Sequence, residues 1–361
     1  MIIGHGNTAI LEPEEPAFQV QGRLRDKFGR SITDLRVSVT DRCNYKCVYC
    51  RTGNEGSQYA ELSIEDYVRM IRVFVSMGVE KVRLTGGEPL LRSGLVSMLR
   101  ELAEMRTAFL PDGSFAGGNG EPLDIALTTN GHLLEGLAQP LKDAGLNRVT
   151  VSMDAVDAKT FSAITRVPRS YEKVLAGIRK AKAVGLGPIK VNCVLLRGFN
   201  DGQIEQFAEF SREEGVIVRF IEWMPLEEDR SWKRESVVSM DEIVERLNAY
   251  RPLVELAPHA ASETAKRFTF DDGVGEIGII APVSRPFCGH CSRVRLTSDG
   301  KIRTCLFSQS DHDMYGEMLR GGTDDELAAY VRMIVMRKEA RHHIGETGFE
   351  KPSRSMVHIG G

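Results

Sequence analysis

Three cysteines fall within eight residues, Cys43, Cys47 and Cys50, spaced C-x3-C-x2-C. Thiols gathered this tightly are metal ligands in the first instance. Three can hold three irons of a four-iron, four-sulfur cube, whose usual complement is four thiolates. The fourth iron then keeps a position open for a small molecule. Structural zinc closes four ligands as two spaced pairs, whereas this stretch offers three and no nearby histidine. A disulfide framework also fits poorly, because seven cysteines is an odd number and nothing points to secretion.

A second set lies far downstream. Cys288, Cys291 and Cys305 are spaced C-x2-C-x13-C. Two readings stand: a second cube with an open iron, or a zinc site completed by His290 or His312. Between these thiols runs SRVRL (292–296), whose alternation puts Arg293 and Arg295 on one face. Beside a cluster, paired guanidiniums suit an anion such as phosphate through bidentate donors. The plainer reading is a solvated basic edge strand. The remaining Cys193 lies on an apolar strand that alternates with Lys190 and Asn192, and reads as core.

The elements that must carry these residues follow a regular rhythm. Short apolar runs at 35–40, 81–85, 124–128, 148–153, 189–196 and 216–224 read as strands. Helical patterns near 63–77, 95–105, 133–144, 171–184 and 203–214 separate them. Strand–helix alternation of this kind argues for parallel strands with helices outside. Eight units would close a barrel, so six predict an α/β fold built as an incomplete (β/α)6 TIM-type barrel, open along one side. The first thiols leave the C-terminal end of the first strand, the end at which such folds do chemistry. Three segments are expected: a loosely ordered, acidic and proline-containing extension over 1–29, the partial barrel over 30–238, and a smaller unit over 239–361 that holds the second thiols. That last unit reads as strand-poor, with a helix near 241–248 and a hairpin pairing 267–269 with 276–280. Residues 106–122 read as an inserted loop.

Composition bounds the partners. The 361 residues are 42% hydrophobic with a net charge of -3, enough core for one large domain and a smaller one and no bulk attraction to nucleic acid or membrane. No apolar run approaches the roughly 20 residues that span a bilayer, and the first residues lack a signal peptide's basic start and apolar centre. A reducing, cytoplasmic location follows.

The first motif, with the aromatic Tyr49 before its last cysteine, resembles the radical S-adenosylmethionine superfamily. The stretches LRVSVTDRCN (35–44), RLTGGEPL (83–90) and RFIEWM (219–224), the distal cysteines with their Arg-x-Arg, and the final Gly360-Gly361 resemble one family within it, the GTP 3′,8-cyclases of molybdenum cofactor biosynthesis, over 35–361. The resemblance implies two 4Fe-4S clusters, on Cys43, Cys47 and Cys50 and on Cys288, Cys291 and Cys305. It implies S-adenosylmethionine held by Tyr49, Gly87, Ser152 and Met224. It implies GTP held by Arg36, Arg83, Thr128, Lys190, Arg293, Val294 and Arg295, with Arg219 a further candidate. Catalytic roles fall to Arg293, Arg295, Gly360 and Gly361, the last two on a tail reaching into the site. The implied reaction converts GTP to 3′,8-cyclo-7,8-dihydro-GTP. The implied partners are a low-potential electron donor and cyclic pyranopterin monophosphate synthase as recipient of the product; a homodimer is left open. Physically, Gly87 would let backbone approach the ligand, and Lys190 on an inner strand face would be costly to bury unless it met an anion. The sequence departs from the family at Arg51-Thr52, where Met-Pro is common, and in the longer 106–122 insert. Two other classes stay open: a peptide-modifying radical enzyme, and an iron–sulfur redox sensor without turnover.

Overall fold

The strands of the computed structural model are β1 (Asp34–Ser38), β2 (Lys81–Thr85), β3 (Asp124–Thr129), β4 (Arg148–Ser152), β5 (Lys190–Leu195) and β6 (Ile217–Glu222), followed by β7 (Leu253–Leu256), β8 (Lys266–Phe270), β9 (Glu276–Ile280), β10 (Arg293–Leu296), β11 (Lys301–Arg303) and β12 (His312–Asp313). The described residues are 22–50, 57–110, 113–227 and 231–360. Arg51, Thr52 and Gly361 therefore lie outside them.

β1 to β6 pair in sequence order and all parallel. The barrel does not close. The twelve strands form one open sheet in the order β12-β11-β10-β1-β2-β3-β4-β5-β6-β9-β8-β7. The strand-poor region expected after residue 239 instead supplies six strands that extend both edges. β10 runs parallel to β1, and β9 parallel to β6, each followed outward by antiparallel partners. The expected hairpin is β8 against β9.

Period-two alternation divides the sheet into two faces. Val37, Val82, Leu84, Ile125, Leu127, Val151, Val191, Cys193 and Phe220 are fully buried against the helices. Cys193 is thus core, as its pattern indicated. The helix Ile64–Ser76 shows how local sequence sets the packing: Ser63 accepts from the Asp66 amide, Glu65 and Asp66 fill the positive first turn, and Tyr67, Met70, Ile71 and Phe74 form the buried stripe.

Two departures concern elements that hold the site. The helix Ala158–Thr165, capped by Asp157 and burying Phe161 and Ile164, was not evident in the sequence; its last turn accepts from the Lys46 amide (Thr165 O, 3.2 Å) and the Val48 amide (Ile164 O, 3.0 Å), so it supports the first cysteine loop. The expected loose extension ends earlier than residue 29. Leu24 is 1% exposed, donates to Met77 O at 2.7 Å and accepts from Ile32, so residues 22–29 pack on the body. An apolar Leu24 and Ile32 among charges supplied that anchor; residues 1–21 lie outside the described set. Within the 106–122 insert, bridges Arg106–Pro122 and Phe109–Phe115 fold the loop back on itself.

Candidate functional site

All six cysteines of the two sets line one cavity of about 680 Å³, within the roughly 300–1,000 Å³ range of small-molecule sites. The topology puts the sets at opposite ends. Cys43, Cys47 and Cys50 follow the C-terminal end of β1. Cys288 and Cys291 precede the N-terminal end of the parallel β10, and Cys305 follows the antiparallel β11, which ends at that same side. The five residues of β1 lie between, a rise of roughly 16 Å.

The first loop is braced by its own chain. A Cβ on Gly86 would meet Thr40 O at 2.4 Å, and one on Gly87 would meet Arg42 O at 2.4 Å. The Gly87 and Glu88 amides donate to Thr40 O and Arg42 O, both at 2.8 Å. Gly87 does line the cavity, but its small size is required first by the cysteine loop crossing over it, a different reason from the ligand approach expected above. Buried Glu88 then accepts from Leu90 N, Thr129 Oγ1 and Asn130 N, tying this turn to the end of β3. Tyr49 donates to Asp154 at 2.8 Å, whose carboxyl burial raises to about 6.

Between the two ends lie cations in strand register. Arg295, Arg36 and Arg83 are partners across β10, β1 and β2. Thr128, Thr150 and Lys190 align across β3, β4 and β5. Ser152, Asn192 and Arg219 align across β4, β5 and β6. Arg219 donates to Asn192 Oδ1 at 2.9 Å; opposite it stands Gly278, where a Cβ would meet Arg219 Cγ at 3.0 Å. Lys81 and Arg148, which the sequence reading did not single out, add to the same wall. Their signal was present: both begin strands and share the inward parity of Arg83 and Ser152.

This density of positive charge is poorly compensated. Burial, with the neighbouring Arg293 and Arg83 set against Asp34, lowers Arg36 to about 10. Burial and then Arg83 and Arg36 lower Arg219 to about 9, and burial followed by Arg219 and Arg148 brings Lys190 to about 8. Arg36 Nε is buried with no hydrogen-bond partner. Guanidiniums in register along a cavity wall, one of them with an unpartnered buried Nε, suit a polyanion.

Of the expected site residues, Tyr49, Gly87, Ser152, Met224, Arg36, Arg83, Thr128, Lys190, Arg219, Arg293 and Arg295 line this cavity together with the cysteines. Val294 does not: it is 1% exposed in the core on the opposite face of β10. His290 and His312, candidates for completing a zinc site, are also absent from the lining, where His342 is found instead. Gly360 does arrive. Arg295 donates to Gly360 O, and a Cβ on Gly360 would meet Thr85 Oγ1 at 2.5 Å and Ser38 Cβ at 2.9 Å. Met356 and Val357 join the lining.

The donor set fits iron–sulfur chemistry. Six sulfurs in two trios are soft ligands, and each thiolate of a cube takes a different iron. Among the described residues no three or more His, Cys, Asp or Glu converge on a single metal ion, so the trios are arranged for ligands that each take their own iron. Burial raises the Cys47 thiol. At Cys291 burial acts the same way but is outweighed by Arg293 and then Lys338, leaving the thiol at about 6. No helix among the described residues is long and apolar enough to cross a membrane.

Fold and site together define a radical S-adenosylmethionine protein: the model of that superfamily matches residues 37–211, and the Molybdenum Cofactor Synthesis C model matches residues 216–344. The chain is 42% identical to the GTP 3′,8-cyclase of Acidothermus cellulolyticus over 83% of its length and 81% of that protein. It is 41% identical to that of Corynebacterium glutamicum, covering 94% and 89%, and 39% identical to that of Streptomyces coelicolor, covering 94% and 96%. The chain belongs to the GTP 3′,8-cyclase family. Among solved structures, Streptococcus suis SuiB bound to S-adenosylmethionine superposes with a TM-score of 0.58 at 15% identity, over 85% of this chain and 69% of that one. At that identity the likeness concerns the fold alone.

Proposed function

We infer that the chain converts GTP to 3′,8-cyclo-7,8-dihydroguanosine 5′-triphosphate, the first step of molybdenum cofactor biosynthesis, as a radical S-adenosylmethionine enzyme. The observation that carries the reading is one cavity with a thiol trio at each end and a register of cations between. Cys43, Cys47 and Cys50 would hold the cluster that, when bound, would supply one-electron reductive cleavage of S-adenosylmethionine and so the radical chemistry directed at the 3′ position of the GTP ribose. A second cluster on Cys288, Cys291 and Cys305 would hold the guanine end.

The chain's own residues do the positioning. Tyr49, Gly87, Ser152 and Met224 lie at the C-terminal ends of their strands or just beyond, where they can flank S-adenosylmethionine beside the first trio. Arg36, Arg83, Lys190 and Arg219 meet the triphosphate, which carries roughly four negative charges; charge-assisted donors are the strong ones for such a group. Thr128 accepts from Arg83 Nη1 at 3.2 Å and holds that guanidinium in the row. Arg295 ends the first row beside Arg36, and Arg293, level with Asp34, stands between that row and the second trio. With both ends of the substrate fixed, one ribose hydrogen is left within reach, the orientation effect on which selective radical chemistry depends. The Gly360 end, bound by Arg295, fills space at the level of Ser38 and Thr85 and keeps water from that point. We assign the product's recipient to cyclic pyranopterin monophosphate synthase, the electron to a low-potential donor, and the setting to the cytoplasm.

Anaerobic incubation with reductant and S-adenosylmethionine tests the reading. 5′-Deoxyadenosine should form in amounts that rise with GTP, alongside the cyclised nucleotide. Cleavage triggered by a peptide and indifferent to GTP would overturn it.

A further inference from the structure

The second thiol trio is gripped by a turn that neither the cysteine motif nor the family resemblance singles out. Lys338 is 3% exposed and reaches the cavity lining from the turn after the helix Asp324–Val335. Its ammonium donates to Arg293 O at 2.9 Å and to Thr304 O. The first carbonyl lies two residues after Cys291, the second immediately before Cys305. The next residue, Glu339, accepts from Thr304 Oγ1 at 2.7 Å. The third cysteine is tied to the same turn from the other end of the chain. Arg30 donates to Cys288 O at 2.8 Å, to Glu339 O at 2.6 Å and to Ala340 O at 2.9 Å, with its Nε on buried Asp26 at 2.6 Å.

The chemistry of Lys338 is unusual for a buried lysine. Arg30 has Asp26 as its counter-ion, but the bonds recorded for the Lys338 ammonium are to two carbonyls. A buried ammonium is costly unless an anion faces it. Lys338 lines the cavity together with Cys291 and Cys305, and the carbonyls it holds flank both of those ligands, so a negatively charged group on the distal trio would face it. Three thiolates on an iron–sulfur cube carry that negative charge.

We propose that Lys338 is the tether and counter-charge of the second cluster: it fixes the Cys291 and Cys305 strands to one another and sets the cluster's reduction potential. This rests on the reading that the distal trio carries a cluster. Lys338 is a positioning residue, since it acts through the loops that bear the ligands. A fixed positive charge beside a cluster favours its reduced, more negative state, so removing that charge moves the potential negative.

The test isolates the distal trio by reconstituting the full chain with Cys43, Cys47 and Cys50 changed to Ala. Iron and sulfide are then counted, and the potential is read by anaerobic titration with electron paramagnetic resonance. This background should hold about four irons per chain. In it, Lys338→Met should lose most of that iron. Lys338→Gln, which keeps an amide donor for the carbonyls but no charge, should retain more iron at a more negative potential, and Lys338→Arg should sit near the parent. Circular dichroism and urea unfolding of the metal-free proteins separate loss of the cluster from loss of the fold. A background with no iron, or with zinc, overturns the two-cluster reading. A background with about four irons in which the Met and Gln variants keep parental iron and potential overturns the role of Lys338 alone. Should Lys338→Met fail to fold, the Gln and Arg potentials decide: equal values refute the counter-charge.

Discussion

Replacing Arg354 by Met should release the chain's C-terminal segment from the cavity. Arg354 makes two 2.8 Å bonds to Asp299, a 2.5 Å contact to Asp311, and lies 4.8 Å from the centre of the Tyr59 ring. Its side chain is 9% exposed, and those of Asp299 and Asp311 are 14% and 19% exposed. Breaking a buried pair costs about 3–5 kcal/mol, and an exposed one about 0–1. Lys301 remains for Asp299 and Arg303 for Asp311, and the Met stem keeps contact with Tyr59. An intermediate loss of about 2 kcal/mol follows, equivalent to roughly 30-fold in the ratio of docked to released segment. Two assays read it. Chymotrypsin cleavage after Phe349, followed by intact mass, should accelerate by up to about 30-fold, while cyclised product falls and KM for S-adenosylmethionine stays near the parent's. In a double-mutant cycle, Asp299→Asn should cost less in the Arg354→Met background than alone. A variant as protease-resistant and as active as the parent would refute the latch.

Other outcomes follow from the same geometry. Lys190, held near pH 8 by burial and by Arg219, should bind triphosphate as the ammonium. Its proton is present below about pH 8 and lost above, so GTP binding at pH 8.5 should take up protons, read by calorimetry in buffers of different ionisation enthalpy; Lys190→Arg should remove most of the uptake. Gly360 has φ 79° with Thr85 and Ser38 in the way of any Cβ. Gly360→Ala should therefore cost about 2–4 kcal/mol of docking, visible as lost product with iron content unchanged. Glu222, fully buried, accepts from the Met240, Val283 and Ser284 amides at 2.8–3.0 Å. Glu222→Gln should lower unfolding free energy by about 2–3 kcal/mol in urea titration without changing GTP affinity.

The last case shows how the sequence relates to the structure. RFIEWM was a recognisable stretch, but the reason for its glutamate, pinning two chain segments to the end of β6, needed the fold. The six parallel strands were legible because strands buried on both faces are short apolar runs between turn residues. Lys190 and Arg293 were legible as inward-facing because parity within a strand is local. The pairing of β10 with β1 is not local: it joins segments about 260 residues apart, and no periodicity encodes it. For the same reason Lys338, which reaches the site only through that pairing, left no signal. Val294 follows the same rule, since the parity that brings Arg293 and Arg295 inward turns the side chain between them into the core. The helix Ala158–Thr165 leaves no clear sequence signal because its eight residues give too few turns for a periodic stripe.

The β1–β10 ladder also imposes a timetable on biosynthesis. At about 5–20 residues per second, β1 waits roughly 13–50 s for β10 to be made. Throughout that interval it is a nascent border with unmatched amide and carbonyl groups beside Leu35 and Val37, the kind of edge that recruits neighbouring chains. A truncated product that stops before Arg293 keeps this border permanently. Such fragments should self-associate, and recombinant expression of the first 290 residues should yield aggregates where the complete chain stays dispersed.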